Sequence, residues 1–370
     1  MSARFDIDLV TADDAVSAPP DYARYIRSIR AFPRSTGVGA RALRVLTALR
    51  PGRSVLTSGT VSHELRAHVA EVARSTRYCA AIFDLNMIDA LPRDVPRIYH
   101  AHNCEAMLLH RRAAVERFPE RLGVALDARR VGRIEASVVR EARLVVACSR
   151  DDVDDLARSV PRVRSSAVVV PNGVDIARYA RARDGVPDER IALVSGSFDW
   201  RPNQLGLAWF CAEIVPRVSR LAGGRPFSIR VAGRMSAPYA ETLAAMSAVS
   251  VERNPADMND ELARATVVVA PVIASSGTRL RILEAWAARR PVVTTHEGAL
   301  GLEYAGDGDM VVRDRHDPDA FARALWAVLD DPQRARAIAA AAFERVLPFD
   351  WESVGAGLAD RVEGASLTRG

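Results

Sequence analysis

The sequence predicts an α/β protein of two parallel-sheet domains, and three observations predict it. The first is the run at residues 267–272, apolar and β-branched as buried parallel strands are. The second is the succession just after that run: a loop of small residues, Ala274-Ser275-Ser276-Gly277, then a helical pattern, then Pro291 and a further apolar run, Val292-Val293-Thr294-Thr295. That is a strand–loop–helix–strand unit, and its loop belongs at the carboxyl end of a parallel sheet, where open α/β folds bind ligands. The third is length. At 370 residues the chain suits two domains of roughly 150–200 residues each.

Within that unit Thr278 reads as the helix N-cap. The helix runs on to about Arg289, with Leu280, Leu283 and Ala287 on one face. Arg279 and Arg281 fall in its first turn, where cations oppose the helix dipole. An anion bound there would reverse that penalty, because free N–H groups, dipole and arginines would all face it. Glu284 lies within reach of a polar group beside such an anion. The alternative is a surface arginine pairing with Glu284 at i, i+3.

Composition narrows the chemistry. The chain is 49% hydrophobic and 26% charged, as globular proteins are, and carries a net charge of +5. That charge fits an anionic substrate or membrane surface and is too small to argue for nucleic acid. All 51 basic residues are arginine. Schiff-base and Walker-A lysines are therefore excluded, while arginine's planar fork suits phosphate. Cys79, Cys104, Cys148 and Cys211 are scattered, with no C-x-x-C pattern, and read as free thiols in a reducing cytoplasm. No apolar run reaches the ~18 residues of a membrane span, and no signal peptide opens the chain.

Taken in order, residues 5–10 alternate as a strand does. Residues 13–40 read as irregular. Gly37-Val38-Gly39-Ala40-Arg41-Ala42 matches the dinucleotide fingerprint G-x-G-x-x-A. No buried strand precedes it and no acid comes after it at the right distance, so it reads as a loop entering a helix over residues 40–49. Helical periodicity spans residues 63–77. Residues 79–84 and 97–100 read as buried strands. His100-Ala101-His102 closes the second of them: metal ligands, a base or loop residues. With no third ligand placed nearby, the pair is weak evidence for metal. Residues 105–140 are helical and arginine-rich, either a surface helix pair or a stretch that lies on anionic membrane. Residues 144–149 and 168–170 are strands, the latter ending in an Asn172-Gly173 turn. Residues 176–189 are polar and read as a linker. A second domain starts with a strand at residues 191–196, and a helix passes through Trp209 and Phe210. Strands at residues 227–231 and 249–252 and a helix at 259–265 lead back to the opening unit. Asp307-Gly308-Asp309 reads as a turn, and amphipathic helices close the chain.

Several segments together resemble the retaining family 4 glycosyltransferases of the GT-B fold. Ser276-Gly277-Thr278-Arg279-Leu280-Arg281-Ile282-Leu283-Glu284-Ala285 is similar to that family's donor signature, in the subset with Gly-Thr-Arg after a small residue. His102-Asn103-Cys104-Glu105 resembles its His-Asn-x-Glu segment, and Pro171-Asn172-Gly173-Val174-Asp175 its passage between domains. Asp199-Trp200-Arg201-Pro202-Asn203 resembles the loop that meets the diphosphate, although Ser197 replaces the usual arginine there. Asn254-Pro255 falls where the family reads the nucleobase, and Gly298-Ala299-Leu300-Gly301-Leu302 resembles a further family loop.

The resemblance implies two Rossmann-like domains facing a cleft: residues 1–175 on the acceptor side, a linker at 176–189, a donor domain at 190–345, and a terminal helix at 346–370 crossing back. It implies transfer of a hexose, with retention, from a nucleotide-diphosphate sugar to a glycan, lipid-linked or small-molecule acceptor. Cell-envelope or exopolysaccharide synthesis in the cytoplasm, with peripheral membrane contact, is the matching setting. No cofactor and no metal are implied. Donor contacts fall to Ser276, Gly277, Thr278, Arg279, Leu280, Arg281, Glu284 and Arg201, and the donor sugar to His102. A non-catalytic GT-B scaffold and a nucleotide-sugar epimerase are the alternatives. Residues 5–10 resemble the family's second strand, with no glycine-rich loop before them. The expectation is therefore a native start upstream of Met1 or a natural truncation.

Overall fold

The structure is a computed structural model that describes residues 4–12, 26–32, 38–48, 50, 52–58, 61–90, 95–183, 185–246 and 248–367. The chain forms two compact units, Met1–Val170 with Gly355–Gly370, and Pro171–Val354.

In the first unit β1 (Asp8–Thr11) pairs in parallel with β2 (Ser28–Ala31). β2 lies in the stretch read as irregular. Its four residues include only one half-buried apolar side chain, Ile29, too little to show alternation. Gly37 of the glycine pattern lies outside the described residues; Val38–Ala48 is helical. A second parallel sheet has the order β3 (Ala81–Phe83), β4 (Arg97–Ala101), β5 (Leu144–Ala147), β6 (Val168–Val169). Residues of β1 and β3 line a cavity of about 560 Å³.

The arginine-rich region is two helices, Glu105–Val115 and Glu120–Glu141. The first opens on Cys104, whose side chain caps nothing. Its orphan N–H groups are met from the second helix. Glu135, buried, accepts from the N–H of Glu105 at 3.0 Å and of Ala106 at 3.2 Å, and from the Tyr99 hydroxyl at 3.0 Å. Burial raises the Glu135 pKa, and these donors oppose the rise. The turn that carries His100 and His102 is thereby tied to its neighbours.

The second unit is a six-stranded parallel sheet: β7 (Ile191–Ser195), β8 (Ser228–Gly233), β9 (Val249–Arg253), β10 (Val267–Ala270), β11 (Val292–Thr295) and β12 (Val311–Arg313). Its order is β12-β11-β10-β7-β8-β9. The chain starts in the middle, moves out through β8 and β9, then returns to β10 and moves out the other way. Alternate side chains of β10 enter opposite layers: Val267 and Val269 join Phe210 and Phe321, Val268 and Ala270 join Leu283 and Trp286. The stretch read as a linker is not one throughout. Ala177–Arg183 is a 3-10 turn, and Tyr179 and Ala182 are buried beside Trp286. Isolated apolar anchors in an otherwise polar segment gave no period to read. No helix among the described residues is long and apolar enough to cross a membrane.

The helix after β10, Leu280–Ala287, is held at its far end by Arg290. This buried guanidinium donates to the carbonyls of Leu262 at 2.7 Å, Ala263 at 3.0 Å, Arg289 at 3.0 Å and Ala288 at 3.3 Å. Leu262 and Ala263 lie in the last turn of the helix Met258–Arg264, where carbonyls run short of helical partners, although Leu262 also accepts from the Ala265 N–H at 3.2 Å. Arg290→Met should therefore lower unfolding free energy by about 2–4 kcal/mol, since it strands several buried acceptors. Urea denaturation measures this, and a loss below about 1 kcal/mol would show that the carbonyls find other partners.

Candidate functional site

The strand order reverses between β7 and β10, and the loops after these two strands meet there. After β10 the chain runs through residues 271–279 before the helix Leu280–Ala287 begins. Thr278 is not its N-cap. Arg279 holds that position with extended backbone, and no side chain caps the turn. The Thr278 hydroxyl is instead buried with no hydrogen-bond partner. A buried hydroxyl without a partner costs free energy, and a hydrogen-bonding group brought to it would relieve that cost. Ser275 and Ser276 are buried beside it, Ser275 Oγ donating to the Glu297 carbonyl at 2.7 Å. Leu280 is not on the buried face with Leu283 and Ala287; it is 49% exposed, and Ile282 and Trp286 complete that face.

The two arginines of the signature take different paths. Arg279 is buried and turns back on its own loop, donating to the carbonyls of Ser276 and Gly277, the latter at 2.9 Å. Arg281 crosses to the loop after β7. Its Nη2 donates to Asn203 Oδ1 at 2.7 Å, and Asn203 Nδ2 is itself fixed on the Ser197 carbonyl at 2.8 Å. The guanidinium lies on the backbone of Gly196, where φ is +153° and a Cβ would stand 3.0 Å from Nη2. Burial pushes the Arg281 pKa down to about 10, the charge of Glu284 opposing. It remains cationic at neutral pH, and among the described residues it forms no ion pair. The helix carrying Asn203, Arg201–Trp209, sits so close to the loop that a Cβ at Gly206 would fall 2.0 Å from the Pro271 carbonyl oxygen. Arg201 is exposed at the start of that helix, near Tyr239, whose pKa burial raises, the Arg201 charge opposing.

Glu284 does not pair with Arg281. Its Oε1 accepts from the Tyr179 hydroxyl at 3.0 Å, and burial followed by the Glu284 charge raises the tyrosine's pKa. Tyr179 was missed in the sequence because it comes from the supposed linker. The Asp307-Gly308-Asp309 turn is structural: Asp307 pairs with Arg313, and Asp309 with Arg345 and the Ala305 N–H.

In the first unit His102 comes directly after β4, with one face open to solvent. The protein packed against its ring lowers its pKa, Asp84 opposing. Half-buried His100 lies 4.1 Å away between ring centroids, and burial followed by His102 pushes its pKa down to about 4. A third group does stand nearby, contrary to expectation: Cys148 Sγ is 4.0 Å from His100 Nε2. It arrives from the end of β5, 48 residues on, which spacing along the chain does not show.

Residues 189–331 match the family model "Glycosyl transferases group 1". The match covers less than half of the chain, within the second unit, and is a similarity to that family. Over 216 residues the chain is 33% identical to the phosphatidyl-myo-inositol mannosyltransferase of Mycolicibacterium smegmatis, covering 55% of this chain and 54% of that protein. The chain thus spans little more than half the length of this curated relative. Among solved structures it resembles sucrose-phosphate synthase from Thermosynechococcus elongatus, at 17% identity and a TM-score of 0.71 over 98% of this chain and 89% of the other. It also resembles Anabaena HepE in complex with UDP and glucose, at 16% identity and a TM-score of 0.64 over 96% and 91%. The fold is GT-B, with two Rossmann-like parallel-sheet domains.

The orphan hydroxyl of Thr278 gives a direct test. Thr278→Val keeps the shape and removes a buried group that bonds to nothing, so the unliganded protein should keep its stability or gain about 1 kcal/mol. A loss above about 1 kcal/mol in urea denaturation would mean that the hydroxyl is bonded in the free protein.

Proposed function

We propose that the protein is a hexosyltransferase that takes its sugar from a nucleotide-diphosphate donor and transfers it with retention. The observation that carries this is Arg281: a half-buried cation that forms no ion pair among the described residues, beside a helix start and an orphan hydroxyl, at the reversal of a parallel sheet. Such a place favours an anion. A diphosphate would accept from the free N–H groups of the first turn, from Thr278 Oγ1 and from Arg281. Arg279, whose donors already hold Ser276 and Gly277, shapes the loop instead. Glu284, oriented by Tyr179, offers its carboxylate to the ribose hydroxyls. Ser276 and Gly277 line the approach, and exposed Leu280 and Arg201 flank it.

The chemistry is governed by charge. As the anomeric bond breaks, negative charge gathers on the departing diphosphate, and Arg281 with the helix start stabilises it. This is the office a divalent cation would otherwise perform, so the transfer itself needs none. The leaving phosphate takes the proton of the acceptor hydroxyl, so the new bond forms on the face the leaving group vacates. His102 steadies the donor sugar and is not a general base. The relative's printed name favours a lipid-linked or inositol acceptor, and a glycan or small-molecule acceptor serves the same chemistry. A non-catalytic scaffold or an epimerase would show itself in turnover and product analysis.

Titrating nucleoside diphosphates and their sugars in a thermal-shift assay should find a ligand that stabilises the protein by about 2.7 kcal/mol at 100 times its Kd. Arg281→Gln and Glu284→Ala should each weaken that ligand by about 1.5–3 kcal/mol. Arg281→Gln should spare the nucleoside monophosphate, which Glu284→Ala should not. Equal losses for mono- and diphosphate in Arg281→Gln would remove the diphosphate role. His102→Ala should lower turnover far more than nucleotide affinity, and unchanged turnover would return it to a structural part.

A further inference from the structure

We propose that His100, His102 and Cys148 bind one soft divalent cation, such as zinc or cobalt, at the carboxyl ends of β4 and β5. Ladder register brings them together. His100 pairs with Val146 and Ala101 with Ala147 across the parallel strands, so one residue further on His102 comes level with Cys148. Period-2 alternation puts all three on one side. The candidate ligand atoms of the three residues lie within 4.8 Å of one another. Tetrahedral zinc, with Zn–N near 2.0–2.1 Å and Zn–S near 2.3 Å, sets its donors about 3.3–3.7 Å apart. Side-chain rotation of about 1 Å closes the site.

The surroundings fit the same ion. His100, His102 and Asp84 all line the cavity of about 560 Å³ in the first unit, which gives an entry path and a fourth position open to water. Asp84 acts electrostatically on His102, as an outer carboxylate behind a metal-bound imidazole does. Two imidazoles and a thiolate select zinc-like ions and exclude magnesium and calcium, which demand oxygen ligands. Binding replaces the Cys148 thiol proton, which leaves to solvent, and both imidazoles ligate neutral, so no electron is exchanged. The ion would occupy the ring that the transfer reaction uses, so zinc acts as an inhibitor. Only this last step rests on the proposed transfer reaction.

Cobalt(II) added to the chelator-treated full chain should give one equivalent of a thiolate-to-cobalt charge-transfer band, release about one proton and be displaced by zinc but not magnesium. Cys148→Ala should lose the band, and His100→Gln, altering a ring outside the transfer site, should weaken zinc binding at least roughly tenfold. Zinc should inhibit the parent and spare Cys148→Ala, whose metal-free turnover stays at the parent level. A parent without the band, or a band of equal intensity in Cys148→Ala, would overturn the site. If the protein transfers no sugar at all, the cobalt titration still decides the metal question.

Discussion

The reversal of strand order between β7 and β10 governs the second unit. Parallel strands need crossovers, and crossovers that leave in opposite directions open a gap between the loops at the strand ends. The loop after β7 contributes Gly196, which has no side chain to fill that gap. The helix after β10 contributes Arg281, which reaches across it to Asn203. The turn before β7 contributes Tyr179, which sets Glu284. Three separate pieces of chain converge on one helix start because the sheet places them there.

Three arginines of one short segment show how environment divides a single residue type. Arg290 spends its donors on carbonyls at the helix ends, and Arg279 on the carbonyls of its own loop. Both satisfy the backbone in a chain without lysine. Arg281 donates to the neutral Asn203, forms no ion pair among the described residues and carries a desolvated charge, which a bound anion would relieve. The desolvation that lowers its pKa is the same imbalance that would make an anion welcome there.

Much of this was legible in the sequence and some was not. The β-branched runs of β7, β10 and β11 gave the parallel sheet because both faces of each are buried. The loop and the identities of Arg281 and Glu284 came from spacing and resemblance. The division of labour between Arg279 and Arg281 did not, since both lie in the same turn and only the reach of each side chain separates them. Thr278 was misassigned because a threonine before a helix usually caps it, whereas here the chain bends one residue later. β2, Tyr179 and Cys148 escaped for a common reason. Each matters through a neighbour distant along the chain, and none stands in a periodic pattern strong enough to announce it.

The seat of Gly206 on the Pro271 carbonyl restricts how this protein can drift. Any larger residue would lift the helix Arg201–Trp209 from the loop and carry Asn203 away from Arg281. Main-chain clearance, rather than any side chain, thus sets the tolerance of the corner that holds Arg281. Divergence toward new ligands is channelled to the rim, through solvent-facing positions such as Leu280 and Arg201, while the frame beneath stays locked.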